Sequence, residues 1–529
     1  MSNYIITYDV GTTGIKTCLF DIKDTIELKA SSTEGYNLYV VGGGGAEQDP
    51  AEWWNAMCVT TKRIFDKSHV KPEDILGISF CSQMQGLVLV DKDGEPVRRA
   101  MSYMDQRARE EIKKGMAYGV QIAGANIFKL LKSLYYTGAV SASVKDPVWK
   151  YKWVEAHEPE VFAKVHKWLD VKDYLIAKCT SRLCVTEDSA FGTLMLDIRT
   201  RKWSIPICKM LGVNPAHLPE IISSTDCVGG LTAKAAKELG LKEGTKVFGG
   251  GGDASLIGVG AGSTALGDTH IYSGTSGWIG TVVDKSMVDT SAMIASIVGA
   301  QPGKFTYFAE METSGKCLEW VKNHLALDEI GIYLEKKHIT EDMERKYTSL
   351  YDYMTDVART AQAGSGGVIF TPWLHGNRCP FEDPMSRGMF FNISLETGKT
   401  ELIRAVLEGV CFHKRWMLEA ESRKARTSEV VRFVGGGALS DFTSQLLSDI
   451  IGRPVETVAN PQNVGAVGAA AVVAVGLGII SSLDNLKDYI PAVKRFTPNP
   501  EYKAVYDRNF EVFKALYKSN KANFALLNK

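Results

Sequence analysis

The chain has 529 residues, 45% of them hydrophobic, with 61 lysines and arginines set against 61 aspartates and glutamates. That length exceeds one ordinary hydrophobic core and predicts two large domains, while the charge balance excludes the bulk positive field that recruits nucleic acid or an anionic membrane. Asp9 arrives before any signal-like apolar stretch and the ten cysteines make no close pairs of the zinc or C-x-x-C kind, so a cytoplasmic chain is expected, with Cys18, Cys58, Cys81 and Cys411 serving mainly in packing.

Residues 4–8 are aromatic or β-branched and end in Asp9-Val10-Gly11-Thr12-Thr13-Gly14-Ile15-Lys16, a strand that delivers a carboxylate to a sheet edge. Glycines there allow a tight turn with backbone N–H groups close to phosphate, and Thr12, Thr13 and Lys16 add hydroxyls and a cation. Asp9 repels phosphate directly, which implies a magnesium ion or its water shell between them. Asp49-Pro50-Ala51-Glu52 has the form of a helix start, with helical spacing over 51–65. Strands are expected over 75–80 and 87–90, on either side of the polar turn Ser82-Gln83-Met84-Gln85-Gly86, and helical material near 108–170 reads as an insertion or cap.

A second acidic glycine turn, Gly249-Gly250-Gly251-Gly252-Asp253, follows the apolar Lys246-Val247-Phe248. Taken alone, its aspartate is more simply a helix N-cap than a catalytic group. Ile271-Tyr272-Ser273-Gly274-Thr275-Ser276-Gly277 then repeats the logic of the first turn, which predicts two related lobes clasping one triphosphate. The pattern from Val430 to Ala438 is another ligand-facing crossover, with Ser440 or Asp441 capping a helix whose apolar face carries Phe442, Leu446, Leu447 and Ile450. Residues 464–480 are too short and too rich in glycine and alanine for a comfortable membrane span. They predict a buried helix, approached through Asn460 and Pro461, in which Gly465, Gly468, Ala469 and Ala470 allow close packing. A strand or linker and a surface-packed helix follow after about residue 485. Gly398-Lys399-Thr400 fails as a P-loop because Ile393 stands where the first glycine belongs. His375 has no ligand cluster and reads as a packed or hydrogen-bonded histidine, while Arg378 and Arg387 read as loop bridges or closure contacts.

Taken in order, the Asp9 turn, Glu47-Gln48-Asp49-Pro50, Gln83-Met84-Gln85-Gly86, Met104-Asp105-Gln106-Arg107, the Asp253 turn, Gly274-Thr275-Ser276-Gly277, Gly376-Asn377-Arg378-Cys379-Pro380 with Arg387-Gly388, and Gly435-Gly436-Gly437-Ala438 resemble the FGGY carbohydrate kinases across essentially the full length. The resemblance implies an α/β, two-domain actin-like, ribonuclease-H-like ATPase fold with a cleft between domains. Residues 1–250 would carry the sugar-binding elements and 251–529 the adenosine-binding elements. It implies ATP and Mg²⁺ as cofactors and a small carbohydrate as partner, with no nucleic acid and no membrane, and it admits a homodimer.

By the same resemblance Asp253 is the catalytic base, and Asp9 and Asp253 approach the metal through water. Gly11, Thr12, Thr13, Lys16, Gly274 and Thr275 surround the phosphates, and Gly436, Gly437, Ala438 and Asn463 form the nucleotide edge, Asn463 equally reading as a structural turn. Gln83, Gln85, Asp105, Arg107 and Asp253 line the sugar pocket. The closest likeness is to xylulokinase-like members, which phosphorylate the 5-hydroxyl of D-xylulose. Two departures stand against it: Gln85 replaces the usual histidine of Gln-Met-His-Gly, and Tyr103-Met104 replaces Trp-Asn before the aspartate. Another ketose, a polyol such as glycerol, or a sugar acid such as gluconate therefore remains open. An actin-like noncarbohydrate ATPase and a noncatalytic sugar-responsive protein are the alternatives of a different class.

Overall fold

In the computed structural model, which describes residues 3–122, 124–325 and 350–528, two mixed sheets are built on the same plan. In the first, Gly14–Ile22 lies antiparallel between Ile26–Gly35 and Tyr4–Val10. Ile75–Ser82 then runs parallel to Tyr4–Val10, and Lys246–Phe248 and Cys227–Gly230 complete that side. In the second, the hairpin Thr269–Ser273 and Gly277–Val283 is extended antiparallel by Phe305–Met311 and Ile294–Val298. On its other side Val431–Val434 and Val455–Val458 run parallel and Ala492–Phe496 closes the edge. In each lobe a long helix, Pro50–Ser68 or Lys399–Glu421, makes the crossover from the hairpin to the next parallel strand. The repeat expected from the two hydroxyl-bearing turns is therefore a repeat of whole lobes.

The local signals account for most elements. Asp49 caps Pro50–Ser68 through Ala51 N–H at 2.9 Å, and Ser440, rather than Asp441, caps Asp441–Ile451 through Thr443 N–H at 3.2 Å. The expected strand at 87–90 is shorter, Val88–Val90, and pairs with Lys167–Leu169 outside the main sheet. The cap contains Arg109–Gly115, Ile127–Thr137 and Pro147–His157, and surrounds its own apolar cluster of Met116, Trp149, Tyr151 and Trp168. Ala492–Phe496 is followed by Lys503–Leu527, which buries Tyr506, Phe510 and Phe513. All ten cysteines are free, and no helix among the described residues is long and apolar enough to cross a membrane.

The helix Val464–Gly476 is buried on every side from Val464 to Ala474. By chain connection it follows a strand of the second sheet, yet it lies against the first, where a Cβ at Gly77 would come 3.0 Å from Val473 Cγ1. It also crosses Asp253–Gly260 at backbone contact. A Cβ at Gly260 would lie 1.8 Å from the Val464 carbonyl oxygen, and one at Gly468 would lie 2.3 Å from that of Leu256. Glycine is required at this crossing because the atoms met are backbone and cannot rotate away. Gly468→Ala is expected to cost about 1–3 kcal/mol by overpacking. The check is a lower denaturant midpoint at unchanged slope, and a midpoint equal to that of the parent would contradict the close crossing.

Candidate active site

Sheet register brings the two acidic turns to one edge. Asp9 pairs with Cys81 and Cys81 with Gly251, while Val10, Ser82 and Gly252 form the next row. Two strand spacings, roughly 10 Å, thus separate Asp9 from the turn that carries Asp253. Gly250 takes φ +66°, and a Cβ there would sit 2.2 Å from the Phe80 carbonyl oxygen, so the turn closes only as glycine. Gly252 is the N-cap residue of the helix and Asp253 its first helical residue, so the simple capping role is not the one Asp253 fills.

Both carboxylates are half-buried and hold protons more tightly than usual. Burial pushes Asp253 up to about 7 against the 2.8 Å hydrogen bond that Ala254 N–H donates to its Oδ1, and the charges of Asp9, Glu310 and Asp170 add to the rise. Burial likewise raises Asp9, opposed by Lys16 and by the thiol of Cys81. The helix Val464–Gly476 begins beside this pair: a Cβ at Gly465 would be 2.7 Å from Cys81 Sγ and 3.8 Å from Asp9 Oδ2. Its positive end therefore faces the anionic floor of the cleft.

Three turns ring the space above. In the first, Gly11 N–H donates to the Gly14 carbonyl at 2.9 Å, Gln48 Nε2 holds the Thr12 carbonyl at 2.6 Å, and Thr13 is exposed. Lys16 Nζ reaches the other lobe, donating to Asn463 Oδ1 at 3.0 Å and to the Gln462 carbonyl at 3.3 Å. In the second, Ser314 N–H and Lys316 N–H hold the Thr275 carbonyl at 3.0 and 3.2 Å, and Gly315 N–H holds that of Gly274 at 2.8 Å, leaving the Thr275 side chain exposed. The third packs on the strand end before the second and on the segment that Lys16 reaches: Gly435 N–H donates to the Pro461 carbonyl at 2.8 Å, and Gly437 lies against Ser273. Gly436 faces open space, and Ala438 N–H closes the turn onto Gly435 at 3.1 Å.

On the cap side, Gln83 N–H donates to the Val10 carbonyl at 2.8 Å and its Nε2 to Gln48 Oε1 at 2.9 Å. Gln83 Oε1 is buried and has no hydrogen-bond partner among the described residues, which suits an incoming hydroxyl donor. Gln85 sits at φ +61°. Asp170 accepts the N–H of Gln85 and of Gly86, each at 2.9 Å, and Lys150 Nζ donates to the Gln85 carbonyl at 2.7 Å. Burial moves these two groups toward each other, Asp170 up to about 7 and Lys150 down to about 8. Asp105 has no exposed surface: its Oδ2 accepts from Ala46 N–H at 2.9 Å and from Arg107 Nη2 at 2.8 Å. Arg107 also bonds Glu47 at 2.8 Å and lies 4.4 Å over the Trp153 ring.

The second lobe adds the two motif arginines and, beside one of them, an acid, Glu310, that no motif marked. Arg378 donates to Glu310 Oε2 at 2.6 Å and to Glu312, and burial raises Glu310 despite that guanidinium. Arg387 bridges the carbonyls of Pro384 and Ser386 within its own loop, at 2.9 and 2.7 Å. His375 is exposed, not packed as the sequence suggests, because Trp373 beside it takes the core position against Phe381, Phe513 and Tyr517. Asp170 was visible only as the N-cap of Val171–Thr180, through Val171 N–H at 2.8 Å, and Lys150 and Glu310 carried no motif at all. No group of three or more histidine, cysteine, aspartate or glutamate side chains among the described residues could hold a metal ion. A divalent ion here would rest on Asp9, water and phosphate oxygens, the mode Mg²⁺ favours.

Two duplicated lobes, with paired carboxylates at one sheet edge and three glycine-rich turns from both lobes, define a cleft phosphotransferase. The FGGY family of carbohydrate kinases matches by its N-terminal domain over residues 4–260 and by its C-terminal domain over 270–477. The chain belongs to this family and is an ATP-dependent sugar kinase of the two-domain FGGY fold. It is 28% identical to the xylulose kinase of Bacillus subtilis (strain 168) over 519 residues, covering 98% of this chain and 97% of that one. Among solved structures it is similar to the ligand-bound xylulose kinase of Lactobacillus acidophilus, with TM-score 0.84, 27% identity and coverage of 99% and 100%. It is equally similar to the gluconate kinase of Lactobacillus acidophilus, with TM-score 0.83, 27% identity and full coverage of both chains.

The folded pKa of Asp253, about 7, lies above the roughly 4 of an unfolded aspartate. Its carboxylate therefore begins to cost stability as pH rises through 4, and the full cost is present above 7. Asp253→Asn is expected to raise the thermal midpoint at pH 8 and to leave it nearly unchanged at pH 4. An equal effect at both pH values would contradict this environment for the side chain.

Proposed function

We propose that the protein transfers the γ-phosphoryl group of ATP to the 5-hydroxyl of D-xylulose. In this reading Asp253 takes the proton of the acceptor hydroxyl as that oxygen bonds to phosphorus and the bond to the β-phosphate oxygen breaks, releasing ADP. A base near 7 matches this task at neutral pH. Mg²⁺ held through water by Asp9 would neutralise charge on the β- and γ-phosphates. The Gly11–Thr13 turn and Gly274–Thr275 cradle the phosphates, and the open backbone at Gly436 receives adenosine, with Lys16 and Asn463 at the seam.

The observation that carries the choice of a neutral ketose is that the cations around the pocket are already held. Arg107 is paired with Asp105 and Glu47, Arg378 with Glu310 and Glu312, and Lys150 with the Gln85 and Ser102 carbonyls. A sugar acid would bring its carboxylate among these acids, where these three cations are already engaged, so its desolvation would be poorly compensated. A hydroxyl finds acceptors and donors in Gln83 and Gln85, and Asp105 acts by fixing Arg107 in the pocket wall. Gluconate is the second reading, since the chain is as similar to a gluconate kinase as to a xylulose kinase.

Phosphorylated product, measured together with ADP over ketopentoses, glycerol and gluconate, is expected to form with highest kcat/KM from D-xylulose. Selective phosphorylation of gluconate would overturn the substrate assignment while leaving the kinase. Asp253→Asn is expected to lower kcat by about two to four orders of magnitude with ATP binding retained. In the parent, kcat/KM should fall about tenfold per pH unit below roughly 7, because protonation removes the base. A flat profile from pH 5 to 8 would count against Asp253 in that role.

A further inference from the structure

Asp253 can act on an acceptor only if one of its carboxylate oxygens is not drawn back onto the free amides at the start of its own helix. Those amides attract any nearby carboxylate. Oδ1 of Asp253 is already engaged by Ala254 N–H at 2.8 Å, and two residues back Gly252 N–H is taken by a different acid. It donates 2.7 Å to Oδ2 of Asp188, a fully buried aspartate in Glu187–Gly192. A Cβ at Gly251 would lie 3.0 Å from the same oxygen, so the carboxylate is packed directly against the turn.

Asp188 is itself held. Its Oδ1 accepts from the Thr186 hydroxyl and, at 2.9 Å, from Ser189 N–H. Buried Lys172 bonds the same Thr186 hydroxyl at 2.6 Å and Asp173 at 2.5 Å. A continuous buried chain therefore runs from Lys172 and Asp173 through Thr186 and Asp188 to the peptide that precedes Asp253. None of these side chains belongs to a glycine-rich turn.

We infer that Asp188 is a positioning residue for the transfer step: by capping the Gly252 amide it fixes the turn and leaves the second carboxylate oxygen of Asp253 to face the acceptor. This rests on Asp253 being the base. Asp188→Ala is expected to lower kcat by about 10–100-fold, the scale of a misplacement of about 1 Å, with KM for ATP and for the sugar within about twofold. Asp188→Asn, whose amide oxygen still accepts from Gly252, is expected to recover kcat to within about fivefold of the parent. An alanine variant with kcat within twofold of the parent, or an asparagine variant as slow as alanine, would overturn the inference. Should the alanine variant fail to fold, Asp188→Glu carries the test, because it keeps the charge and the acceptor but displaces the turn. A tenfold or greater loss of kcat at unchanged thermal midpoint supports the inference, and full activity overturns it. Asp253→Asn assayed alongside separates the two claims. An active Asp253→Asn variant removes the base itself, whereas an inactive one beside a fully active Asp188→Ala removes only the positioning role.

Discussion

Two half-buried carboxylates resist ionisation, so a fold that keeps Asp9 and Asp253 at one sheet edge, on either side of Ile75–Ser82, must spend rigidity on them. Burial is the main cause of the rise in both groups, and the charge of Asp9 adds to that of Asp253. What keeps them in place is backbone, not flexible side chain. Gly250 fits against the Phe80 carbonyl, and the pairing of Gly251–Gly252 with Ile75–Ser82 sets the spacing. A phosphate-bound cation and an ionisable acceptor are what such a site is built to receive, since both relieve the repulsion that the empty geometry stores.

The same constraint explains why the lobes cross. The helix that starts beside Asp9 belongs by connection to the second sheet, and the one that starts at Asp253 belongs to the first. They meet at Gly260 and Gly468 with backbone touching backbone. Each lobe thus places a helix start at the shared floor, and the Lys16–Asn463 hydrogen bond links the rims of the two lobes above it. The two lobes therefore share a backbone contact at the floor of the cleft.

Much of this was legible because it is written in local chemistry. Short β-branched runs ending in glycine and an acid marked the strand edges, and small residues within 464–480 marked a buried helix, which forms over Val464–Gly476. The sugar pocket was legible only in part. Gln83 and Gln85, proposed to line it, lie in a turn the motifs marked, but the groups that shape that turn, Asp170 and Lys150, lie 65 or more residues away in sequence. An aspartate before a helix reads as a cap, and Asp170 is one. Nothing local says that its two oxygens also hold the amides of Gln85 and Gly86. Asp188 escaped for the same reason, since a buried acid and a surface acid look alike until tertiary contacts decide which is which. His375 went the other way: read as packed or hydrogen-bonded, it is exposed beside the buried Trp373.

The central claim is that the Asp253 carboxylate meets the reacting hydroxyl in the closed cleft. A crystal structure with the acceptor sugar and a nonhydrolysable ATP analogue measures it directly. The account predicts an Asp253 carboxylate oxygen about 2.6–3.2 Å from the sugar hydroxyl oxygen that faces the γ-phosphate. A closed ternary complex in which that hydroxyl is bonded to another side chain, with Asp253 out of hydrogen-bond reach, would contradict it.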